Sequence, residues 1–234
     1  MNKLARSHNW LIYQLIDPPL RERLRRYATG SLVDIGCGDK PYVEMTAPHV
    51  SEHVGLDHEA SPHHRSHFDL VGTAYAIPAP ARRFDTVLCT DVLEHLEDPR
   101  AALAEAHRVL KPGGYAIYTV PLFWHLHEEP RDFYRYTRHG LAYLFEGAGF
   151  EVVEIVPLSG FIATFSQELV YFLYRFRLHW INPLWWLIPI LGTVIQAVAY
   201  VLNKFDRSYA YTVEYLLVAR KPVADADGTA HKGS

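Results

Sequence analysis

Short apolar runs alternate with longer amphipathic segments along most of the chain. Runs short enough for strands, and rich in branched or aromatic residues, are 31–35, 53–57, 68–71, 84–89, 115–120, 151–156 and 211–219. Helical spacing of apolar residues falls between several of them, most clearly at 98–110 and 137–147. This alternation predicts a doubly wound α/β fold with a mostly parallel sheet of seven strands.

Capping residues set the expected limits of the helices. Asp98 predicts an N cap with Pro99 at the first helical position, and the run 111–114 (Lys-Pro-Gly-Gly) predicts a turn that ends the same helix. Thr137 is expected to cap the next helix. Near the N-terminus, the pair Pro18-Pro19 predicts a break between two short helices.

The first buried run ends in a glycine turn. Gly36 and Gly38 lie in the turn that follows the strand. Because glycine has no Cβ, backbone N–H groups there can approach a ligand closely. A dinucleotide fingerprint would need a third glycine, but Pro41 occupies that position. Asp34 lies inside the strand, and its charge suits an ammonium group better than a pyrophosphate. The turn is therefore interpreted as a binding site for S-adenosylmethionine (SAM).

A second acid ends the next strand. Asp57 stands about 20 residues beyond the glycine turn, where a carboxylate can accept hydrogen bonds from both hydroxyls of a ribose. An ordinary turn aspartate is the alternative. The following loop holds several histidines, but their irregular spacing and the lack of a companion cysteine favour a solvated loop over a metal site.

The composition is that of a globular protein. Apolar residues make up 49% of the 234 residues and the net charge is −3, so no excess of positive charge indicates a nucleic-acid partner. Cys37 and Cys89 provide no disulfide framework, which favours a reducing compartment. No secretory signal is visible in the sequence, and a cytoplasmic protein is expected.

Several motifs together resemble the class I SAM-dependent methyltransferases, in particular the type 11 group that includes ubiquinone and menaquinone enzymes. The likeness covers roughly residues 30–157. The matching segments are 33–38 (VDIGCG), 55–57 (GLD), 76–78 (AIP), 84–85 (FD), 91–99 (DVLEHLEDP) and 108–114 (RVLKPGG). This resemblance implies a Rossmann-like methyltransferase fold and an enzyme that uses SAM.

The same likeness assigns the cofactor-binding residues. Asp34 and the glycine turn would hold the methionine end of SAM, and Asp57 would hold the ribose. The acid with which the family usually reads the adenine amino group is replaced by Thr73, whose hydroxyl can still accept a hydrogen bond while the N–H of Ala74 meets the ring. The full expected set is Asp34, Gly36, Cys37, Gly38, Asp57, Thr73, Ala74, Thr90 and Asp91.

The acceptor side is expected in residues 121–137, just past the fifth strand, because loops at this edge of the sheet carry function in this architecture. Imidazoles and carboxylates would supply the base, and tyrosine and arginine side chains would bind the substrate. The expected residues are His127 as first and His125 as second candidate for the general base, Glu128 or Asp132 to orient either ring, and Tyr134, Arg135 and Tyr136 as substrate contacts.

A structural interpretation of the same loop stays open. In that alternative Arg131, Asp132 and Arg135 form a salt-bridged lid. A metal site built from His125, His127 and a carboxylate is a third alternative. No metal is expected, because methyl transfer from an activated sulfonium depends mainly on alignment and, for a hydroxyl acceptor, on a base.

Residues 158–208 form an unusually apolar stretch before the last strand, and residues 181–203 contain no charged side chain. One helix over 184–202 would be about 28 Å long, enough to span a bilayer core. A single crossing is excluded because the strands on both sides must join one sheet. The stretch is therefore interpreted as a helical insertion that attaches to a membrane surface, or as a soluble cap or dimer surface.

The expected organisation is N-terminal helices at 1–29, a SAM-binding core at 30–157, the apolar insertion at 158–208, a closing antiparallel strand at 209–222 and a disordered tail at 223–234. The leading hypothesis is SAM-dependent O-methylation of a hydrophobic or lipid-linked acceptor at the inner face of the cell membrane. The alternatives are a soluble methyltransferase for a sugar, phenol or quinone-type molecule, with a lid or homodimer surface, and a non-catalytic SAM-binding or membrane scaffold protein.

Overall fold

The computed structural model describes residues 8–61, 65–176 and 185–223. Four predicted features lie partly outside these residues. They are the start of the N-terminal helices, the centre of the histidine-rich loop, the middle of the predicted insertion and nearly all of the predicted tail.

Seven strands form one sheet in the order β3-β2-β1-β4-β5-β7-β6. Neighbouring strands among the first five run parallel, as predicted, and all five residues of β1 are buried. This confirms the doubly wound α/β fold. The strands are β1 Ser31–Ile35, β2 Glu52–Asp57, β3 Leu70–Val71, β4 Phe84–Thr90, β5 Leu110–Pro121, β6 Glu151–Pro157 and β7 Glu214–Arg220.

The last strand runs antiparallel to β5. At one end of the pair, the N–H of Lys221 donates to the Gly114 carbonyl at 2.9 Å. At the other end, the N–H of Leu122 donates to the Val213 carbonyl at 2.9 Å. Because the later part of β7 pairs with the earlier part of β5, β7 is the closing antiparallel strand that the sequence predicted.

Six α-helices and three short 3₁₀ segments connect the strands in the described ranges. The predicted caps are confirmed for two of the helices: Asp98 Oδ1 accepts from the Ala101 N–H, and Thr137 Oγ1 accepts from the Gly140 N–H, both at 3.1 Å. The helices are α1 Trp10–Tyr27, α2 Val43–Thr46, α3 Pro99–Val109, α4 Arg138–Gly147, α5 Phe161–Tyr174 and α6 Leu187–Asn203, and the 3₁₀ segments are Arg65–His67, Leu93–His95 and Tyr209–Tyr211.

The predicted break at Pro18-Pro19 is wrong, because α1 is one helix that contains both prolines. Proline removes an N–H donor, but its fixed φ near −65° is compatible with helical backbone. An apolar face that includes Leu11, Leu15, Leu20 and Leu24 is buried along the helix. Burial of these side chains offsets the lost hydrogen bonds, a term that a local proline rule does not include.

The predicted helix-ending turn at 111–114 is also wrong. Helix α3 ends at Val109, and β5 begins at once with Leu110. Lys111 Nζ forms an ion pair with Asp85 Oδ2 at 2.8 Å, and a Cβ on Gly114 would lie 2.7 Å from the Asp85 carbonyl oxygen. The glycine therefore permits close approach of two strands, where β4 and β5 also shift register, instead of ending a helix.

The described chain divides into two compact units. The larger unit comprises residues 21–120, 128–155 and 216–223 and contains the glycine turn and helices α2 to α4. The smaller unit comprises the described residues of 8–20, 121–127 and 156–215 and contains helices α5 and α6.

Helices α5 and α6 pack on each other in the smaller unit, where Leu11, Leu15, Ala163 and Ala199 form a buried core. Residues at the end of α6 also cap the beginning of α5. Asn203 Oδ1 accepts from the Gly160 N–H at 3.0 Å, and Asp206 Oδ2 accepts from the Ile162 N–H at 2.7 Å. The N–H groups at the start of α5 thus gain partners that the helix itself cannot supply.

Among the helices within the described ranges, none has both the length and the apolar character needed to cross a membrane.

The Thr137 cap gives a test of helix α4. We expect Thr137→Ala to lower the free energy of unfolding by about 1 kcal/mol, because the Gly140 N–H loses its side-chain acceptor. Urea denaturation measures the change. Thr137→Ser keeps a hydroxyl in the same place and should stay within a few tenths of a kcal/mol of the parent. Equal stability of the alanine and serine variants would contradict this role.

Candidate active site

A cleft of about 350 Å³ lies where the strands β1 and β2 end. Four of the residues predicted to bind the cofactor line it, namely Gly36, Asp57, Thr73 and Ala74. Its wall also includes residues that the sequence did not assign to the cofactor: His58, Tyr75, Val92, His95, Leu96, Glu97 and Arg131. The larger unit therefore brings together the central part of the predicted cofactor set.

The glycine turn is joined to β2 by backbone hydrogen bonds. The N–H groups of Gly36 and Cys37 both donate to the Leu56 carbonyl, at 2.9 and 3.1 Å. Gly36 and Gly38 have φ values of 71° and 50°, which side chains disfavour. A Cβ on Gly36 would lie 2.4 Å from Val92 Cγ2, so this turn cannot hold a larger residue without moving the wall of the cleft.

Asp57 is oriented by two backbone donors. Its Oδ2 accepts from the Gly38 N–H at 3.0 Å, and its Oδ1 accepts from the His58 N–H at 2.7 Å. Each carboxylate oxygen keeps further acceptor capacity toward the cleft. This arrangement suits a pair of ribose hydroxyls, and the ribose role stays a prediction.

Asp34 lies inside strand β1, and its predicted contact with the methionine end of the cofactor stays a prediction. It is buried, it is not among the residues that line the cleft, and its Oδ2 lies 3.1 Å from His53 Nε2. Burial raises the pKa of the Asp34 carboxyl, while the hydrogen bond with His53 lowers it. The other ring nitrogen of His53, Nδ1, lies 2.7 Å from Thr46 Oγ1. The sequence assigned no role to His53. Its pairing with Asp34 follows from strand register, which the sequence does not specify.

Cys37 is a buried thiol inside the turn. Burial, followed by the charges of Asp34 and Asp57, raises its pKa to about 12. The thiol is therefore protonated at neutral pH and contributes backbone and packing to the turn, not a nucleophile.

Thr90 ends strand β4 and Asp91 follows it, and neither is among the residues that line the cleft. Asp91 has a φ of 53°, and its Oδ1 accepts from the Thr119 hydroxyl at 2.8 Å. Burial raises the pKa of Asp91, whereas the hydrogen bond from the Thr119 hydroxyl lowers it. Their predicted contact with the cofactor stays a prediction.

Glu94 and His95 belong to the 3₁₀ segment that follows. His95 lines the cleft, and its Nε2 lies 3.7 Å from Glu94 Oε1. Both carboxyl oxygens of Glu94 are buried without a hydrogen-bond partner in the described part of the chain. Burial, and then the charge of Asp91, raise the pKa of Glu94 well above its usual value. The sequence contained the motif but gave no signal that this glutamate would be buried.

The two histidines predicted as bases lie in the smaller unit. His125 Nδ1 is 3.3 Å from Glu168 Oε2, and its ring stacks on Trp124 and packs against Tyr171, with ring centroids 5.4 and 4.7 Å away. His127 Nδ1 lies 3.3 Å from the His125 carbonyl oxygen. Glu168, which comes from helix α5, was not predicted as the carboxylate beside His125.

The carboxylates expected to orient those rings lie in the larger unit. Asp132 accepts two hydrogen bonds from Arg135, at 2.6 and 2.8 Å. Glu128 Oε2 lies 3.8 Å from His95 Nε2. The bidentate Asp132–Arg135 pair matches the structural alternative for this loop, and Arg135 as an anion site stays a prediction.

The two predicted substrate tyrosines are tied to the 3₁₀ segment and the residues after it. The Tyr134 hydroxyl donates to the Glu97 carbonyl at 3.0 Å, and the Tyr136 hydroxyl donates to the Leu93 carbonyl at 3.1 Å. Tyr136 is buried, and burial, followed by the charge of Glu94, raises the pKa of its phenol. These bonds fix the segment that carries His95, and direct substrate contact by either tyrosine stays a prediction.

Comparison with known proteins gives a consistent result. A family model described as "Methyltransferase domain" matches residues 8–155. The chain is 35% identical over 114 residues to a ubiquinone biosynthesis O-methyltransferase of Cereibacter sphaeroides, covering 44% of this chain and 43% of that protein. A protein of the same name from Ruegeria pomeroyi is 37% identical over 103 residues, covering 40% and 42%. The chain thus spans less than half of the curated relatives that it matches.

Solved structures share the fold. A phosphoethanolamine N-methyltransferase of Haemonchus contortus in complex with SAM superposes with a TM-score of 0.56 at 17% identity, covering 92% of this chain and 56% of that one. The [4+2]-cyclase SpnF superposes with a TM-score of 0.61 at 20% identity, covering 90% and 83%. At these identities the likeness is one of fold alone.

The chemistry of the cleft fits SAM. Its glycine cradle is a space that a Cβ on Gly36 would fill, and the oriented carboxylate of Asp57 matches a ribose. Ile35, Leu56 and Val92 offer apolar wall between these polar groups. When bound, SAM supplies a methyl group already activated by a sulfonium, so the protein needs to bind, align and exclude water.

Gly36→Ala tests the cradle. The new methyl group must displace Val92 from the wall of the cleft, and the alanine must keep an unfavourable positive φ. We therefore expect SAM to bind roughly tenfold more weakly or worse. Calorimetric titration with SAM measures the loss. Gly147→Ala adds the same methyl group where no atom lies within 4 Å and should keep the parent affinity. Parent affinity in the Gly36 variant would show that the cofactor binds elsewhere.

Proposed function

Since the chain belongs to the methyltransferase domain family and uses SAM, we propose that it methylates a hydroxyl group of a hydrophobic or lipid-linked acceptor at the cytoplasmic face of a membrane. The observation that carries this proposal is a set of exposed, large apolar side chains along helices α5 and α6. Such a surface is unusual for a protein surrounded by water on all sides.

The exposed apolar residues repeat every three or four positions, so each helix presents them along one face. On α5 and just after it the stripe consists of Phe161, Phe165, Leu169, Phe172 and Phe176. On α6 it consists of Leu187, Ile190, Leu191, Val194, Val198, Val201 and Leu202. These stripes are named the apolar face below. They match an amphipathic helix pair that lies in the membrane interface with its apolar side toward the acyl chains.

Exposed cations flank the apolar face. Arg175 follows α5, and Lys204 and Arg207 follow α6. Basic residues beside an apolar helix surface favour a bilayer that contains anionic lipids, and each adds about 1 kcal/mol of attraction near such a surface. An anionic lipid surface is therefore the partner that we assign to the apolar face.

Two further facts support a hydroxyl acceptor. The curated relatives reported above are named ubiquinone biosynthesis O-methyltransferases, and this name states that the methyl group goes to oxygen. O-methylation needs a group that takes the hydroxyl proton, and imidazoles suit this task at neutral pH. Among the described residues, the candidates by position include the predicted His127 and His125 and, in the cofactor cleft, His58 and His95.

A soluble enzyme is the second candidate, with the apolar face as a lid or as a homodimer surface. It would explain the exposed apolar side chains without a membrane, but it assigns no role to the flanking cations. The two candidates differ in acceptor class and in lipid binding, and each difference can be measured.

Methyl transfer identifies the acceptor class. We expect purified protein supplied with methyl-labelled SAM to label material in a lipid extract, because the proposed acceptor is hydrophobic. Extraction into organic solvent followed by counting measures the transfer, and Gly36→Ala provides the control for SAM dependence. Label confined to a soluble-metabolite extract would support the soluble candidate and contradict the membrane-face acceptor.

Flotation with liposomes tests attachment. The protein should float with vesicles that contain anionic lipid and float less with neutral vesicles. Val198→Lys places a charge on the apolar face, where Val198 is 52% exposed, and should reduce flotation severalfold. Val153→Lys makes the same change at a valine that is 44% exposed on strand β6 and should float like the parent. Equal behaviour of the two variants would contradict attachment through this face.

A further inference from the structure

Glu94 and His95 lie in the cofactor cleft or beside it. Glu94 has no role so far, and His95 is one of several candidate bases. His95 shares the wall of the cleft with Gly36, Asp57 and Thr73. Its imidazole therefore faces the same space as the residues that suit SAM. A titratable ring at this place is able to exchange a proton with a bound acceptor.

The ring of His95 is held in one tautomer when neutral. Its Nδ1 lies within hydrogen-bond distance of the Arg131 carbonyl oxygen, which can only accept, so Nδ1 carries the proton. The lone pair is then on Nε2, which lies 3.7 Å from Glu94 Oε1 and 3.8 Å from Glu128 Oε2. Nε2 is thus the atom that can take up a proton, close to two carboxyl groups that would stabilise the resulting charge.

Glu94 is the unusual member of this pair. It is 1% exposed, and neither carboxyl oxygen has a hydrogen-bond partner within the described ranges. Ionising such a group costs several kcal/mol unless a positive charge lies near. The charged and titratable groups that act on it in the same unit are Asp91, Asp132, Arg135, Cys89 and Tyr136.

Arg135 is the positive neighbour among them, and its charge lowers the pKa of Glu94 less than burial and Asp91 raise it. Arg135 donates two hydrogen bonds to Asp132, and Asp91 adds negative charge near Glu94. Asp91 itself has the Thr119 hydroxyl as a donor, whereas Glu94 has none. Glu94 is therefore the carboxyl whose ionised form has the least support until a cation enters the cleft.

We propose that His95 is a catalytic residue that accepts the proton of the acceptor hydroxyl, and that Glu94 provides the compensating negative charge. The inference rests on the proposed O-methylation, because an acceptor hydroxyl is the source of the proton.

The step balances in atoms and in charge. The acceptor O–H bond breaks and its proton goes to Nε2 of His95, while the oxygen forms a bond to the methyl carbon and the carbon–sulfur bond leaves its electron pair on sulfur. The positive charge moves from the sulfonium to the imidazole, and the Glu94 carboxylate remains negative. The three groups together stay neutral, which matters where water is excluded.

A consequence can be measured without any acceptor. A sulfonium near Glu94 favours its ionised form, so SAM binding should expel the Glu94 proton to the solvent. S-adenosylhomocysteine has the same amino-acid and nucleoside parts but a neutral sulfur. The difference in proton release between the two ligands therefore reports the response to the charge on sulfur.

Calorimetric titration at pH 7 in two buffers of different ionisation enthalpy counts the released protons. The parent protein should release about one proton more with SAM than with S-adenosylhomocysteine. Glu94→Gln, a neutral residue of the same shape, should abolish the difference. Glu146→Gln changes an exposed glutamate on helix α4 and should keep it. Equal release for both ligands in the parent, or a difference that persists in Glu94→Gln, would overturn the proposal.

Turnover tests His95 itself. His95→Asn should lower kcat by about 10²- to 10⁴-fold while SAM affinity stays within about threefold, and its residual activity should rise with pH because an ionised acceptor needs no base. His127→Ala and His125→Ala should lose less. An active His95→Asn enzyme would overturn the proposal. So would loss of parent activity after dialysis against a chelator with recovery on adding a divalent cation, because the pair would then serve as metal ligands.

The two readouts separate the possible failures. If no hydroxyl acceptor is methylated but the difference in proton release is present and depends on Glu94, the proposed O-methylation fails while the charge-compensating role of Glu94 holds. If lipid hydroxyls are methylated but His95→Asn keeps its kcat, the proposed function holds and His95 is not the proton acceptor.

Discussion

The hydrogen bonds between the glycine turn and strand β2 are the constraint on which the cleft depends. The N–H groups of Gly36 and Cys37 share the Leu56 carbonyl, and the N–H of Gly38 holds Asp57. These bonds require positive φ at two glycines and leave no space for a side chain beside Val92. A change in this backbone would move the carboxylate, the wall and the cradle together, so the cofactor site depends on main-chain geometry before any side chain acts.

The fold could be predicted because its signals are local. Apolar runs of four to nine residues and the caps Asp98 and Thr137 are each decided by a few neighbouring residues. The structure has a strand at each of these runs and both caps. The two errors concern sites where a distant contact outweighs a local preference. Pro18 and Pro19 stay helical because apolar side chains along α1 are buried, and Gly114 belongs to a strand because it packs on Asp85. Proline and glycine rules contain neither contact.

The candidate site shows the same difference between features set by local sequence and features set by distant contacts. Gly36 and Asp57 stand beside strand ends that the hydrophobic pattern locates, so their meeting in one cleft was predictable. The partners His53 for Asp34 and Glu168 for His125 depend on register and on packing of helix α5, which no spacing in the sequence encodes. Glu94 is the clearest case. Its neighbours in sequence resemble those of any exposed loop, and only the folded chain removes it from water.

Burial without a donor turns an ordinary glutamate into a responsive one. Asp57 has two backbone donors and Asp91 has one hydroxyl donor, whereas Glu94 has no donor within the described residues. A ligand with a fixed positive charge changes the balance most for the group with the least support, because the field of that charge is weakly screened in a dry site. The charge that activates the methyl group is then also the charge that ionises Glu94. Binding of the cofactor and the ionisation of Glu94 beside His95 are then coupled through one charge. A cleft lined by fully hydrogen-bonded acids would not have this coupling.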